Sequence, residues 1–230
     1  MNILSITLLS PMSQYKLIKK CFKGFDMVSK KIDQCMKPHG DEGIETIKRM
    51  NVNHNDISEF AFECINVKGN AKILDIGCGG GVNIEKFLKL TSENVDGLDY
   101  SEVSVSESIK RNQNAVDEKR CNVIQANVCD MPLEDESYDI VSAFETIYFW
   151  PDIENTFKEV LRIIKSDGQF MIAQGTDGNH PDDEKWLNTI EGMSVYTASE
   201  LKKYLLDAGF SNVNVFKKEN DYILVVIGEK

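Results

Sequence analysis

The sequence predicts a doubly wound α/β fold behind an N-terminal helical cap. Three observations carry this. From Ala71 onward, short apolar runs alternate with amphipathic stretches of helical spacing. The last two apolar runs, "SNVNVFK" and "DYILVVIGE", leave no room for a helix between them. The first 68 residues show helical spacing only. Strands alternating with helices imply a parallel sheet covered on both faces, wound by right-handed crossovers. The terminal pair should form a hairpin and insert one antiparallel strand. The expectation is a seven-stranded sheet, six strands parallel and one antiparallel, in residues 69–230, with residues 1–68 as a cap of the same domain.

In the cap, Leu17, Ile18, Cys21, Phe22 and Phe25 recur at helical spacing, as do Val28, Ile32, Cys35 and Met36. Pro38 and Gly40 interrupt the pattern, and a short helix holds Ile44 and Ile47. Ile57, Phe60, Ala61, Cys64 and Ile65 form one apolar face, with Asp56 and Glu59 spaced as a capping box. "AKILDIG" then reads as the first, buried strand, followed by a helix with Ile84, Phe87 and Leu88. "NVDGLDY" is the second strand. Ser101 caps a helix to about Asn114 that turns Val105 and Ile109 inward. "CNVIQA" and "YDIVSAF" are strands three and four. Ile153, Phe157, Val160, Leu161 and Ile164 form a helical stripe ended by Gly168 as a C-cap. "GQFMIAQG" is strand five, and Thr197 with Glu200 caps the helix of Leu201, Tyr204 and Leu205.

A chain of 230 residues, 42% hydrophobic, can bury one sizeable core. Its net charge of −11 disfavours nucleic acid and anionic membrane, both of which select a basic face. None of the six cysteines forms a Cys-x-x-Cys pair, and the three histidines are scattered, so no metal site is expected. The thiols read as reduced, in a cytoplasmic protein. "MNILSITLLSPM" lacks the basic start and cleavage site of a secretory signal and is too short to span a bilayer; Met12 is a second candidate start. No heptad repeat speaks to the oligomeric state.

The chemistry concentrates in "DIGCGGGVNIEKF", the turn from first strand to first helix. In doubly wound folds ligands sit beyond the carboxyl ends of the strands. A dinucleotide fingerprint, G-x-G-x-x-G, requires its third glycine one place later than Gly81. Asp75 stands two residues before Gly77, where a carboxylate opposes a phosphate and favours an ammonium. Two unit charges ~4 Å apart at a surface-like dielectric repel by about 4 kcal/mol before screening.

"LDIGCGGG" resembles motif I, D-x-G-x-G-x-G, of the class I S-adenosylmethionine-dependent methyltransferases, and further matches follow in order to Lys230. The resemblance implies a Rossmann-like sheet and S-adenosylmethionine as cofactor. It places the cofactor against Asp75, Gly77, Cys78 and Gly79, and against Asp99, Tyr100 and Ser101 at the end of strand two, where the acid accepts from the ribose hydroxyls. "IQANVCDMPLEDESYDIVSAFE" resembles the stretch that sets Asn127 and Val128 against the adenine, with Asn127 where the family commonly has Asp, and it leads to Phe144. "VLRIIKSDGQFMI" resembles the family's helix-turn-strand, with Ser166 and Asp167 in place of Pro-Gly.

The acceptor is read by "AFETIYFWPD" after strand four and by the cap. That loop lacks the Asn/Asp-Pro-Pro-Tyr/Phe motif of amino-group methylation, and no Pro-Cys nucleophile is present. The expectation is a small-molecule acceptor. Glu145 is the first candidate for orienting the acceptor or taking its proton. Tyr148 and Trp150 are candidates to line the pocket, since aromatic faces suit a methyl sulfonium. "RMNVNHNDISEF" resembles the cap of a clostridial and archaeal branch that carries "MN..H", which makes His54 a third catalytic candidate. "DEKWLNTIEGMSVYTASEL" resembles the same branch, with Trp186 and Met193 as candidates to close the pocket. The alternatives are a protein or peptide methyltransferase, a binding protein that holds the cofactor without turnover, and a nicotinamide oxidoreductase.

Overall fold

The computed structural model describes residues 34–190 and 192–230. The helical spacing read at Leu17–Ile32 lies outside the described residues. Two cap helices lead in: α1, Gly40–Asn53, and α2, Asn55–Cys64. They meet at His54, whose N–H donates to Met50 O and whose carbonyl accepts from Ser58 N. Backbone bonds therefore make the junction, and the capping box expected at Asp56 and Glu59 is absent; His54 is the N-cap and gives no side-chain bond to the helix. Asn55 binds Glu59 instead.

The strands are β1 (Ile73–Ile76), β2 (Val95–Asp99), β3 (Val123–Gln125), β4 (Tyr138–Phe144), β5 (Ile164–Gln174), β6 (Ser211–Lys217) and β7 (Leu224–Glu229). Their order is β3-β2-β1-β4-β5-β7-β6. β1 to β5 form parallel ladders; β7 pairs antiparallel with both β5 and β6. The sheet is thus the mixed, Rossmann-like sheet expected. Five strands rather than six lie in parallel ladders, because β6 has only the antiparallel β7 beside it.

The connecting helices are α3 (Val82–Leu88), α4 (Glu102–Arg111), α5 (Gln113–Asp117), α6 (Ile153–Ile163), α7 (Asp183–Thr189) and α8 (Ala198–Ala208). Side chains alternate across β1: Leu74 and Ile76 join the core with Phe157, Phe170 and Leu201 from α6, β5 and α8. Ile73 faces the other way, to Ala61, Ile84 and Phe87 from α2 and α3. The apolar face of α2 is therefore part of the sheet's own core. No helix among the described residues is long and apolar enough to cross a membrane.

Three local expectations change. The helix from Ser101 breaks at Asn112, which ends α4 and begins α5. Its fully buried residues are Ser104 and Ser108, with Val105 and Ile109 half-buried beside them. Gly168 is not a C-cap. The chain passes at Ile164 straight from α6 into extended backbone, and the turn at Asp167 (φ 65°) lies within β5. The cap of α8 is as read: Thr197 and Glu200 form a full capping box.

Candidate functional site

A cleft opens beyond the carboxyl ends of β1, β2 and β4, where the strand order reverses between β1 and β4. Ligands bind at such switch points in open α/β sheets. Its floor is the glycine loop. Gly77 N and Cys78 N both donate to Leu98 O, at 2.7 and 3.2 Å, so backbone bonds pin the start of the loop to β2. Gly77 has φ 69°, and a Cβ there would lie 2.3 Å from Thr146 Oγ1. Only glycine satisfies both constraints. A Cβ at Gly79 would meet nothing within 4 Å. That residue faces open space, as a loop that holds a ligand requires. Gly97 on β2 leaves room for the Cys78 side chain beneath. From the far side, the last residue of α4 and its C-cap hold the loop's carbonyls: Arg111 Nε donates to Gly80 O (2.9 Å) and Asn112 Nδ2 to Gly81 O (3.1 Å).

Two carboxylates flank this loop. Asp99 accepts from Gly79 N (3.0 Å) and Ser101 N (2.8 Å) and borders the cleft. A carboxylate has about four acceptor sites, so lone pairs remain for a ligand's hydroxyls. Asp75 sits beneath the loop, 1% exposed, and accepts from Ser142 Oγ at 2.7 Å, its register partner on β4. Burial pushes its carboxyl up to about 7, opposed by the Ser142 bond and reinforced by the Asp99 charge. Burial likewise raises Asp99. Asp75 is thus a buried charge under the loop rather than a wall group. The case against a phosphate rests on the pair, and most directly on Asp99.

The opposite wall comes from the cap and from the loop after β4. Asn51 and His54 of α1 and its junction face the cleft, with Ile57 and Ser58 of α2. Glu145 ends β4 in a left-handed conformation, φ 56°, which costs a non-glycine residue about 1–3 kcal/mol. It is held there by bonds from Tyr148 OH (2.8 Å) and Gly175 N to Oε1, and by its own N–H to Ala173 O. Burial and the Glu145 charge raise the Tyr148 hydroxyl far above its ordinary range, so Tyr148 is a fixed donor.

The aromatic run sorts itself by a short 3-10 turn, Ile147–Phe149. With three residues per turn, positions three apart share a face. Thr146 and Phe149 face the cleft; Ile147 and Trp150 face the core. Trp150 stacks on Phe170 at 6.2 Å, which corrects its expected place in the pocket wall. Tyr148 is also interior, 5% exposed, and meets the site only through Glu145.

The structure therefore brings Gly77, Cys78, Gly79, Asp99, Tyr100, Phe144, Glu145 and His54 to one cleft. Asp75 and Ser101 lie just behind it. Ser101 Oγ is engaged in capping α4 and donating to Pro38 O. Asn127 and Val128 stand apart beyond β3: Asn127 is exposed with Oδ1 accepting from Cys129 N, and Val128 joins the core. Trp186 on α7 is 41% exposed, and neither it nor Met193 borders the cleft. Asn51, of the "MN..H" stretch, also borders it, whereas sequence reasoning passed over Thr146, Asn83 and Lys86. Asn83 and Lys86 carried a signal, since they stand three apart on the helix that follows the glycine loop. Thr146 carried none.

Residues 74–172 match the family described as methyltransferase domain. Those residues form a methyltransferase domain. The domain's cosubstrate is S-adenosylmethionine, and the open glycine loop with a lone-pair-bearing Asp99 fits a ligand with a ribose diol and no phosphate. Among curated relatives, a 24-methylenesterol C-methyltransferase of Arabidopsis thaliana is 28% identical over 137 residues, 59% of this chain and 38% of its own. A sterol 24-C-methyltransferase of Gibberella zeae is 32% identical over 111 residues, 48% of this chain and 29% of its own. The chain thus spans 38% and 29% of the length of these two relatives. In fold, the methyltransferase domain resembles a methyltransferase solved with the Haloferax volcanii Trm112 activator: TM-score 0.68, 20% identity, covering 80% of this chain and 92% of that one. It also resembles geranyl diphosphate C-methyltransferase of Streptomyces coelicolor, with TM-score 0.67 and 14% identity over 84% and 85% of the two chains.

Proposed function

We propose that the chain is an enzyme that methylates a small-molecule acceptor. The observation that carries this is the cap's share in the cleft: Pro38, Asn51 and His54 line it together with the glycine loop, and Asn51 packs against Gly80. A protein substrate would need an open groove there. On this reading residues 1–68 act as a cap of the same domain, which the packing of Ala61 and Ile65 into the sheet's core supports. Asn51 and His54 are members of the "MN..H" stretch, and their place in the cleft lining supports the clostridial and archaeal resemblance. The five described cysteines are free thiols, in keeping with a cytoplasmic enzyme.

The cofactor supplies an activated methyl group on sulfonium, so orientation accounts for much of the rate. Gly77, Cys78 and Gly79 give close backbone approach, and Asp99 accepts from the ribose hydroxyls. Asn127 and Val128 take the adenine side, Asn127 through its second lone pair. Tyr100 and Phe144 flank the cofactor. Asp75, with Ser101 fixing Asp99's loop, supplies negative charge under the ammonium and sulfonium. Glu145, aimed by Tyr148, orients the acceptor or takes its proton, and His54 lines the same cleft from the cap. Met36, Met50, Ile57 and Phe149 add apolar wall. The relatives' names specify sterols and geranyl diphosphate, which supports an acceptor with an apolar portion.

The test is release of S-adenosylhomocysteine when the protein and S-adenosylmethionine meet a cell extract split by ultrafiltration. Activity should follow the small-molecule fraction. Activity confined to the macromolecular fraction would refute the acceptor class.

A further inference from the structure

We propose that Lys86 binds the carboxylate of the methionine portion of S-adenosylmethionine. The proposal rests on the cofactor reading above and assigns a part of the ligand that none of the acids there can hold. That end of the cofactor is a zwitterion. Asp75, Asp99 and Glu145 suit its ammonium and repel its carboxylate.

Lys86 is the one ammonium among the described residues that border the cleft. The chain has 37 acidic and 26 basic residues, so lysines find carboxylates readily, as Lys48 does with Glu45 and Lys89 with Glu85. Lys86 makes no such pair within 4.0 Å among the described residues. Its Nζ donates to Ser58 Oγ (2.8 Å) and Asn55 Oδ1 (3.2 Å). Both partners are neutral, and one N–H is left over. Ser58 Oγ donates in turn to Oδ1 of Asn83 (2.6 Å), a residue of the first turn after the glycine loop. The Phe62 ring lies 5.9 Å from Nζ.

This frame ties α2 to α3 and fixes an ammonium beside the loop. Partial burial lowers the Lys86 pKa, only partly opposed by the charges of Glu59 and Glu85, neither of which reaches it as an ion pair within 4.0 Å. An incoming carboxylate would complete its shell by a charge-assisted hydrogen bond.

The experiment is a cycle between protein and ligand, read by calorimetry. The wild type, Lys86→Met and Lys86→Arg are titrated with S-adenosylhomocysteine and with its decarboxylated analogue, which keeps the amine. In the wild type, loss of the carboxylate should weaken binding about tenfold or more, the scale of a charge-assisted bond. In Lys86→Met the two ligands should bind alike, and Lys86→Arg should restore most of the difference. Equal weakening of both ligands by Lys86→Met would make Lys86 a purely structural tie and overturn the proposal. An undiminished preference for the carboxylate in Lys86→Met would overturn it as well. A wild type that binds neither ligand contradicts the cofactor reading itself, a separate failure.

Discussion

The loops after β1 and after β4 meet at Gly77 and Thr146, yet they are built in opposite ways. The first is held through its own main chain: Gly77 N and Cys78 N donate to Leu98 O and Gly79 N to the Asp99 carboxylate, while Gly80 O and Gly81 O accept from Arg111 and Asn112. The second is held by side chains: Tyr148 OH and Gly175 N on the Glu145 carboxylate, Trp150 Nε1 on Thr146 Oγ1. A backbone-made wall needs particular small residues and leaves the loop's own side chains little say in what binds. A side-chain wall can be rewritten without moving the backbone. The first arrangement suits a ligand shared by many enzymes, the second an acceptor peculiar to one.

The largest effect should come from forcing a side chain between the two loops. Gly77→Ala strains a left-handed backbone and drives Cβ into Thr146. Binding of S-adenosylhomocysteine should be lost by calorimetry, and the melting temperature should fall. Gly79→Ala carries the same left-handed strain (φ 51°) but its Cβ meets no protein atom, so it is the control for the clash. It should keep the fold while weakening the cofactor about tenfold or more, as a methyl group enters ligand space. If both variants only lower the melting temperature, the loop is scaffolding.

Glu145→Gln breaks the second wall alone. It should leave cofactor affinity within about twofold and slow turnover roughly a hundredfold, the scale of a lost general base. Unchanged turnover would limit Glu145 to holding its own loop.

A smaller effect is set by pH. Asp75, with Asp99 beside it, is raised to about 7 by burial in the free protein. A cationic ligand favours the ionised form, so affinity for S-adenosylmethionine should rise about tenfold from pH 6 to 8 and then level. Asp75→Asn should flatten the profile. Stability moves the other way. Between 3.8 and about 7 the folded chain keeps a proton that the unfolded chain has released. Stability of the free protein therefore declines as pH rises through that window. Above pH 7 ligand-free Asp75→Asn should melt higher than wild type, and the two should converge below pH 4.

The smallest effect separates neighbours on the 3-10 turn. Phe149→Leu should change the acceptor's KM with little change in melting temperature. Trp150→Phe should do the reverse, since Trp150 packs on Phe170.

The strand rhythm and the glycine loop were legible in the sequence because period and backbone freedom are written locally. Strand four was read to the residue as Tyr138–Phe144, and the Thr197–Glu200 box as well. The capping box at Asp56 failed because α1 supplies the start of α2 through Met50 O, a tertiary fact that no four-residue pattern contains. Trp150 was misplaced because burial on a three-residue turn depends on where the turn starts. Lys86 was overlooked because its meaning lies in Ser58 and Asn83, 28 and 3 residues away in sequence.

The central claim is that the backbone-made floor holds S-adenosylmethionine. The direct measurement is calorimetric titration of the wild type with S-adenosylmethionine, S-adenosylhomocysteine and NADH. The account predicts binding of both sulfur compounds at one per chain and none of NADH. Binding of NADH with neither sulfur compound would contradict it, and would show that Asp75 and Asp99 do not exclude a phosphate.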